Sequence, residues 1–76
     1  MKEKIIEILT ELRPEFDFTE KVDFIEEGML DSFDVVSLVD ELEGQFGIKI
    51  DGVDVLPENF STIDSIIALL KKNGAE

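Results

Sequence analysis

The chain has 76 residues, 19 acidic and seven basic, for a net charge of -12 at pH 7, a surface that repels nucleic acid and anionic lipid because both are bound through Lys and Arg. It contains no cysteine and no histidine, which excludes disulfides and metal sites built on thiolate or imidazole. A chain of this length has room for one hydrophobic core, so a single domain over residues 1–76 is expected.

Residues 2–12 read as a helix, with Ile5, Ile6, Ile8, Leu9 and Leu12 on one stripe of a 3.6-residue period. The opening "MKEKIIEILTEL" alternates charge with hydrophobe and lacks the apolar run of a signal peptide. No segment has the apolar length of a membrane span, so a cytoplasmic protein with no membrane insertion is expected. Pro14 ends the first helix and biases Arg13 toward an extended conformation. From Glu15 to Asp31 the chain is acidic, and Phe16, Phe18, Val22, Phe24 and Ile25 keep no single helical stripe. A long loop pinned by some of those side chains is expected there, with a turn near Val22–Phe24 and another at Gly28. Loops of this length in small domains are often functional.

Asp31 is a good N-cap for a second helix from Ser32 to Phe46, whose stripe is Val35, Leu38, Val39, Leu42 and Phe46. Gly47 ends it where a left-handed residue is cheapest. "GIKIDG" reads as a crossing connection, since there is no second strand to pair with it. Residues 54–60 are expected to hold a short helix near Pro57, which suits a first-turn position. Ser61 or Thr62 then caps a helix through Lys72 with Ile63, Ile66, Ile67 and Leu70 inward, and Lys71 and Lys72 at its negative end. The sum is an all-α bundle of three main helices and one short one.

Self-contained catalysis is poorly supplied. A serine nucleophile needs a base, and the usual triads cannot be built without histidine or cysteine. The seven basic residues lie mostly at the chain ends and on faces expected to be exposed, which disfavours a Ser–Lys dyad. Nineteen carboxylates make chance acid–base pairs inevitable and therefore uninformative. "DGVDVLPENFSTID" lacks the alternating Asp/Asn positions of an EF-hand loop, so no metal site is expected. Ser32, at a helix start, is the remaining candidate. It reads either as part of an ordinary cap or as a serine modified by another enzyme. Asp31 and Asp34 flank it and would repel a phosphodiester while attracting Mg²⁺ or a basic protein.

The run "EEGMLDSFDVVSLVDELEGQFGIKI" resembles the attachment region of acyl and peptidyl carrier proteins: a hydrophobe, Asp-Ser, a hydrophobe, then an amphipathic helix ending in aromatic-Gly-Ile. Those positions are Leu30, Asp31, Ser32 and Phe33, then Phe46, Gly47 and Ile48. The resemblance spans nearly the whole chain and implies a four-helix carrier that is not itself an enzyme. Ser32 would take 4'-phosphopantetheine from coenzyme A through a separate Mg²⁺-dependent phosphopantetheinyl transferase. The arm's thiol, holding an acyl or aminoacyl thioester, would supply thiol chemistry to a chain without cysteine. An adenylating ligase and a downstream acyltransferase or synthase are the further partners implied, and a monomer is expected. The acidic surface suits brief, fast encounters with such enzymes, although acidity also serves solubility alone.

The resemblance also implies partner-facing roles on the second helix. Phe33 and Val36 match exposed apolar positions, with a core anchor as the alternative for Phe33, and Glu43 matches an acidic one. Ser37 stands where fatty-acid carriers commonly have glutamate, and Asp40 where they have an apolar residue, so the patch their enzymes read is altered. Phe33 directly after the serine, and the long stretch "FGIKIDGVDVLPENFST", are similar to D-alanyl carrier proteins of lipoteichoic acid modification. Thr62-Ile63-Asp64 is closer to peptidyl carriers. D-alanine is the leading cargo, with a fatty-acid or polyketide carrier as the alternative and an unmodified acidic adaptor as the reading from another class.

Overall fold

The computed structural model describes residues 1–75. Three α-helices, α1 (Lys2–Leu12), α2 (Ser32–Phe46) and α3 (Ile63–Lys72), are joined by a long loop and by a connection holding two 3₁₀ turns, Gly52–Asp54 and Pro57–Phe60. No strand occurs among the described residues, and α1 packs against both α2 and α3. The all-α expectation and the bounds of α1 and α2 agree with the structure.

The helices form where apolar spacing and capping chemistry coincide. Ile5, Ile8 and Leu9 of α1 are buried, with Ile6 and Leu12 half-buried beside them. The helix stops at Arg13, whose φ of −137° and ψ of 78° leave the helical region, because the following proline crowds an α conformation. In α2 the inward residues are Val35, Leu38 and Leu42, while Val39 and Phe46 lie at the margins. Gly47 closes it at φ 63°, and the N–H groups of Gly47 and Ile48 both donate to the Glu43 carbonyl. Thr62, rather than Ser61, caps α3 through a reciprocal pair with Ser65, at 3.0 and 3.1 Å. The expected α3 stripe is present and one residue wider: Ile66 and Leu70 are buried, Ile63 and Ile67 pack half-buried against the core, and Leu69, three residues after Ile66, is buried as well.

The segment from 13 to 31 lacks helical period yet supplies much of the core. Phe18, Phe24, Met29 and Leu30 are all buried. The Phe18 and Phe24 rings meet edge to face with centroids 5.1 Å apart, a geometry favoured by their quadrupoles. Asp23 Oδ1 accepts from the N–H groups of Ile25 and Glu26, and Gly28 turns the chain at φ 73°. The Phe24 N–H then donates to the Ser61 carbonyl at 2.7 Å, stitching this loop to the entry of α3. The expected turn therefore falls just after Phe24 and is organised by an aspartate.

On the return path Pro57 begins its 3₁₀ turn, as its fixed φ allows, and the turn buries Phe60. The Gly52–Asp54 turn was not anticipated. Asp51 caps it, and the buried Asp54 accepts from Lys72 Nζ at 2.7 Å. Among the described residues no buried side-chain polar atom lacks a hydrogen-bond partner.

Candidate functional site

Leu30 is anchored in the core, so the chain emerges at Asp31 and enters α2 one residue later, leaving Ser32 exposed at the first helical position. Asp31 has extended backbone, with φ −111° and ψ −178°. Its Oδ1 accepts from the Asp34 N–H at 2.9 Å, and Asp34 Oδ2 accepts from the Asp31 N–H at 3.1 Å. This capping box satisfies amides that a serine hydroxyl could otherwise have held. Ser32 Oγ has no hydrogen-bond partner among the described residues, and esterifying it breaks no contact of the fold. The donor chemistry fits a phosphodiester-linked arm: an accessible hydroxyl on the first turn of a helix, whose N–H groups and dipole favour a negative group.

Arg13 joins this site from the end of α1. Its Nε donates to Asp34 Oδ2 at 2.9 Å, its Nη2 lies 2.9 Å from the same oxygen and 3.4 Å from Asp31 Oδ2, and its Nη1 reaches Glu15 Oε2 at 3.3 Å. Partial burial alone would raise the Asp34 carboxyl. The Arg13 hydrogen bond, the Asp31 N–H and the guanidinium charge outweigh it and hold the group below the usual carboxylate range. The same pair, with Glu15, raises Arg13 above the ordinary arginine value. The basic residues are expected mostly at the chain ends and on exposed faces, and Arg13 instead reaches the start of α2. Its partner is 21 residues away, so no local pattern could reveal it.

Phe33, Val36, Ser37 and Asp40 follow one another at i, i+3, i+4 and i+7 along the outer side of α2. Phe33 is 80% and Val36 64% exposed, so Phe33 is not a core anchor. Asp40 is exposed and Ser37 half-buried. Glu43 is also half-buried, and its Oε2 accepts from the Ile50 N–H at 2.8 Å, so this carboxylate braces the chain leaving α2. Two exposed apolar residues escaped the sequence reading, Val53 and Leu56 in the α2–α3 connection; they belong to no periodic stripe that would have marked them. A separate cleft of about 540 Å³ lies between the start of α1, the loop and the start of α3, floored by Ile6, Phe18, Val22, Phe24 and Ile63. No residue of α2 lines it, so it is not part of the Ser32 site.

The family described as a phosphopantetheine attachment site matches residues 2–70. The chain belongs to that family of carrier proteins. Over its whole length this carrier is 33% identical to the D-alanyl carrier protein of Lactococcus lactis subsp. cremoris strain MG1363, in an alignment of 78 residues that spans 99% of that relative. The D-alanyl carrier protein of L. lactis subsp. lactis strain IL1403 shows the same identity and coverage. An acyl carrier protein of Thermotoga maritima is 37% identical over 54 residues, covering 71% of this chain and 64% of the relative. As a member of the family the carrier bears covalent phosphopantetheine and works with separate enzymes such as transferases and ligases. No helix of the described residues is long and apolar enough to cross a membrane.

Proposed function

We propose that this chain is a single-domain, non-catalytic carrier that bears phosphopantetheine on Ser32, and that its cargo is D-alanine. The observation that carries the attachment site is the division of labour at the start of α2: Asp31 caps the helix, while Ser32 Oγ is exposed and unengaged. The bound arm supplies a thiol on which an aminoacyl group rides as a thioester. Asp31 and Asp34 frame the hydroxyl with negative charge suited to a basic, Mg²⁺-dependent phosphopantetheinyl transferase. Phe33 and Val36 offer apolar contact beside it, and Ser37 and Asp40 continue that face. The D-alanine reading is supported by full-length likeness to D-alanyl carrier proteins, and by Phe33 directly after the serine. An adenylating ligase would load the carrier in the cytoplasm, and a downstream acyltransferase would unload it.

Incubation with coenzyme A, Mg²⁺ and a broad-specificity transferase is expected to add one phosphopantetheine mass to the protein and none to Ser32→Ala. Unchanged addition to that variant would move the attachment elsewhere. Given adenylating enzymes from the same genome, loading with D-alanine in preference to other amino acids is expected. The partial likeness to an acyl carrier protein favours a second reading, a fatty-acid or polyketide carrier, and preferential loading with malonyl or long acyl groups would establish it instead.

A further inference from the structure

The attachment site carries an electrostatic difficulty of its own making. Asp31 and Asp34 are tied to each other through the capping box at the residues on either side of Ser32 and Phe33, and a phosphodiester on Ser32 introduces another negative charge at the same helix start. Like charges this close disfavour one another, and the exposed position screens them only in part. The first-turn amides and the dipole offset some of this repulsion, but the capping box already occupies the Asp34 amide.

One side chain answers the difficulty. Arg13 is the only basic residue with an ion pair to α2 among the described residues, and it is placed by the break that Pro14 imposes at the end of α1. Its guanidinium is shared by Asp34, Asp31 and Glu15, at 2.9, 3.4 and 3.3 Å. The Asp34 contact is a two-nitrogen one, from Nε and Nη2 to a single oxygen, which fixes the plane of the fork. The Asp31 contact is the longest and involves an aspartate whose side chain is 62% exposed. That end of the guanidinium faces the residue that immediately precedes Ser32.

We propose that Arg13 is the positioning residue for the arm's phosphodiester. It holds the two flanking carboxylates toward the end of α1 and supplies the cation that lets a third anion sit on the α2 N-terminus. This rests on attachment at Ser32. The consequence is an energetic coupling between residue 13 and the modification, which a purely structural salt bridge would not have.

A thermodynamic cycle reads that coupling directly. Unmodified and phosphopantetheine-loaded forms of the wild type and of Arg13→Gln are prepared, loading is verified by intact mass, and the four melting temperatures are measured at low salt. Loss of Arg13 is expected to lower Tm more in the loaded than in the unmodified form, by about 2–4 °C, the scale of a partly screened charge contact in a domain of this size. The excess is expected to shrink at high salt. Arg13→Lys, which keeps the charge, retains at least half of the coupling. Arg13→Met, which keeps an aliphatic stem without the charge, is expected to show the same excess loss in the loaded form and serves if Arg13→Gln does not fold. Equal losses in both forms of fully loaded protein, or a lysine variant indistinguishable from the glutamine one, would overturn the role of Arg13. Absence of the added mass would instead remove Ser32 as the attachment point, and the role of Arg13 with it.

Discussion

Serine and aspartate are both good N-cap residues, yet at the start of α2 only Asp31 holds the Asp34 amide while Ser32 Oγ is left to solvent. The two positions should separate cleanly by mutation. Asp31→Ala removes a cap and is expected to cost about 1 kcal/mol of stability, whereas Ser32→Ala changes stability by less than about 0.5 kcal/mol but abolishes modification. Chemical denaturation with an intact-mass assay on each variant checks both halves. A comparable loss of stability from Ser32→Ala would mean that the hydroxyl supports the fold after all. Asp34 carries a pH signature. Its carboxyl titrates lower in the folded protein than in the unfolded chain. The stabilisation it gives is therefore complete above the ordinary carboxylate range and is lost as pH falls through its depressed native value. The melting temperatures of wild type and Asp34→Asn should accordingly converge on the acid side and diverge toward neutrality.

At the scale of elements, an ion pair between Asp54 in the first 3₁₀ turn and Lys72 in the last turn of α3 ties the return from α2 to α3. The Asp54 hydrogen bond and charge raise Lys72 above its ordinary value, so this contribution is present through neutral pH and is lost as pH rises through the raised value. Lys72→Met is expected to lower Tm at neutral pH, with the difference from wild type closing on the alkaline side of the lysine range. A constant difference across that range would assign the effect to packing of the aliphatic stem. The elements also differ in how far they could be read from sequence. The bounds of α1 and α2 were legible, and the cap of α3 was narrowed to Ser61 or Thr62, because their determinants are local: apolar spacing, Pro14, Asp31, Gly47 and a Ser-Thr pair. The 13–31 loop was legible as a loop and not as a shape, because its order comes from Phe24 bonding to Ser61 and from rings that meet across the core. Within the candidate site, Asp31 and Ser32 stood out for the same local reason. Arg13 and the bracing role of Glu43 depend on contacts that only the folded chain creates.

For the whole molecule the governing quantity is the charge. Eight acidic residues and one lysine lie between Glu15 and Asp34 in a protein of net charge -12, and folding gathers three of those carboxylates, Glu15, Asp31 and Asp34, at the end of α1. Arg13 relieves part of that crowding, since three carboxylates share its guanidinium. Added NaCl, and more strongly Mg²⁺, is expected to raise the melting temperature by screening the remainder. A calorimetric salt series checks this, and a flat response would show that the acidic groups are farther apart in solution. The same charge favours quick approach of basic enzymes and ready release, which a carrier serving several partners needs.

Among the described residues the Ser32 hydroxyl makes no hydrogen bond, and this has a consequence for the pool of molecules. Dressing or undressing the serine breaks none of the hydrogen bonds of the caps and loops, and with Arg13 in place to offset the added charge, blank and loaded copies are expected to stand at nearly the same distance from unfolding. A protease that waits for open chains cannot tell them apart, because it samples the unfolded population alone. The fraction of working carriers would then follow from how fast the hydroxyl is tagged, with blank copies as long-lived as loaded ones.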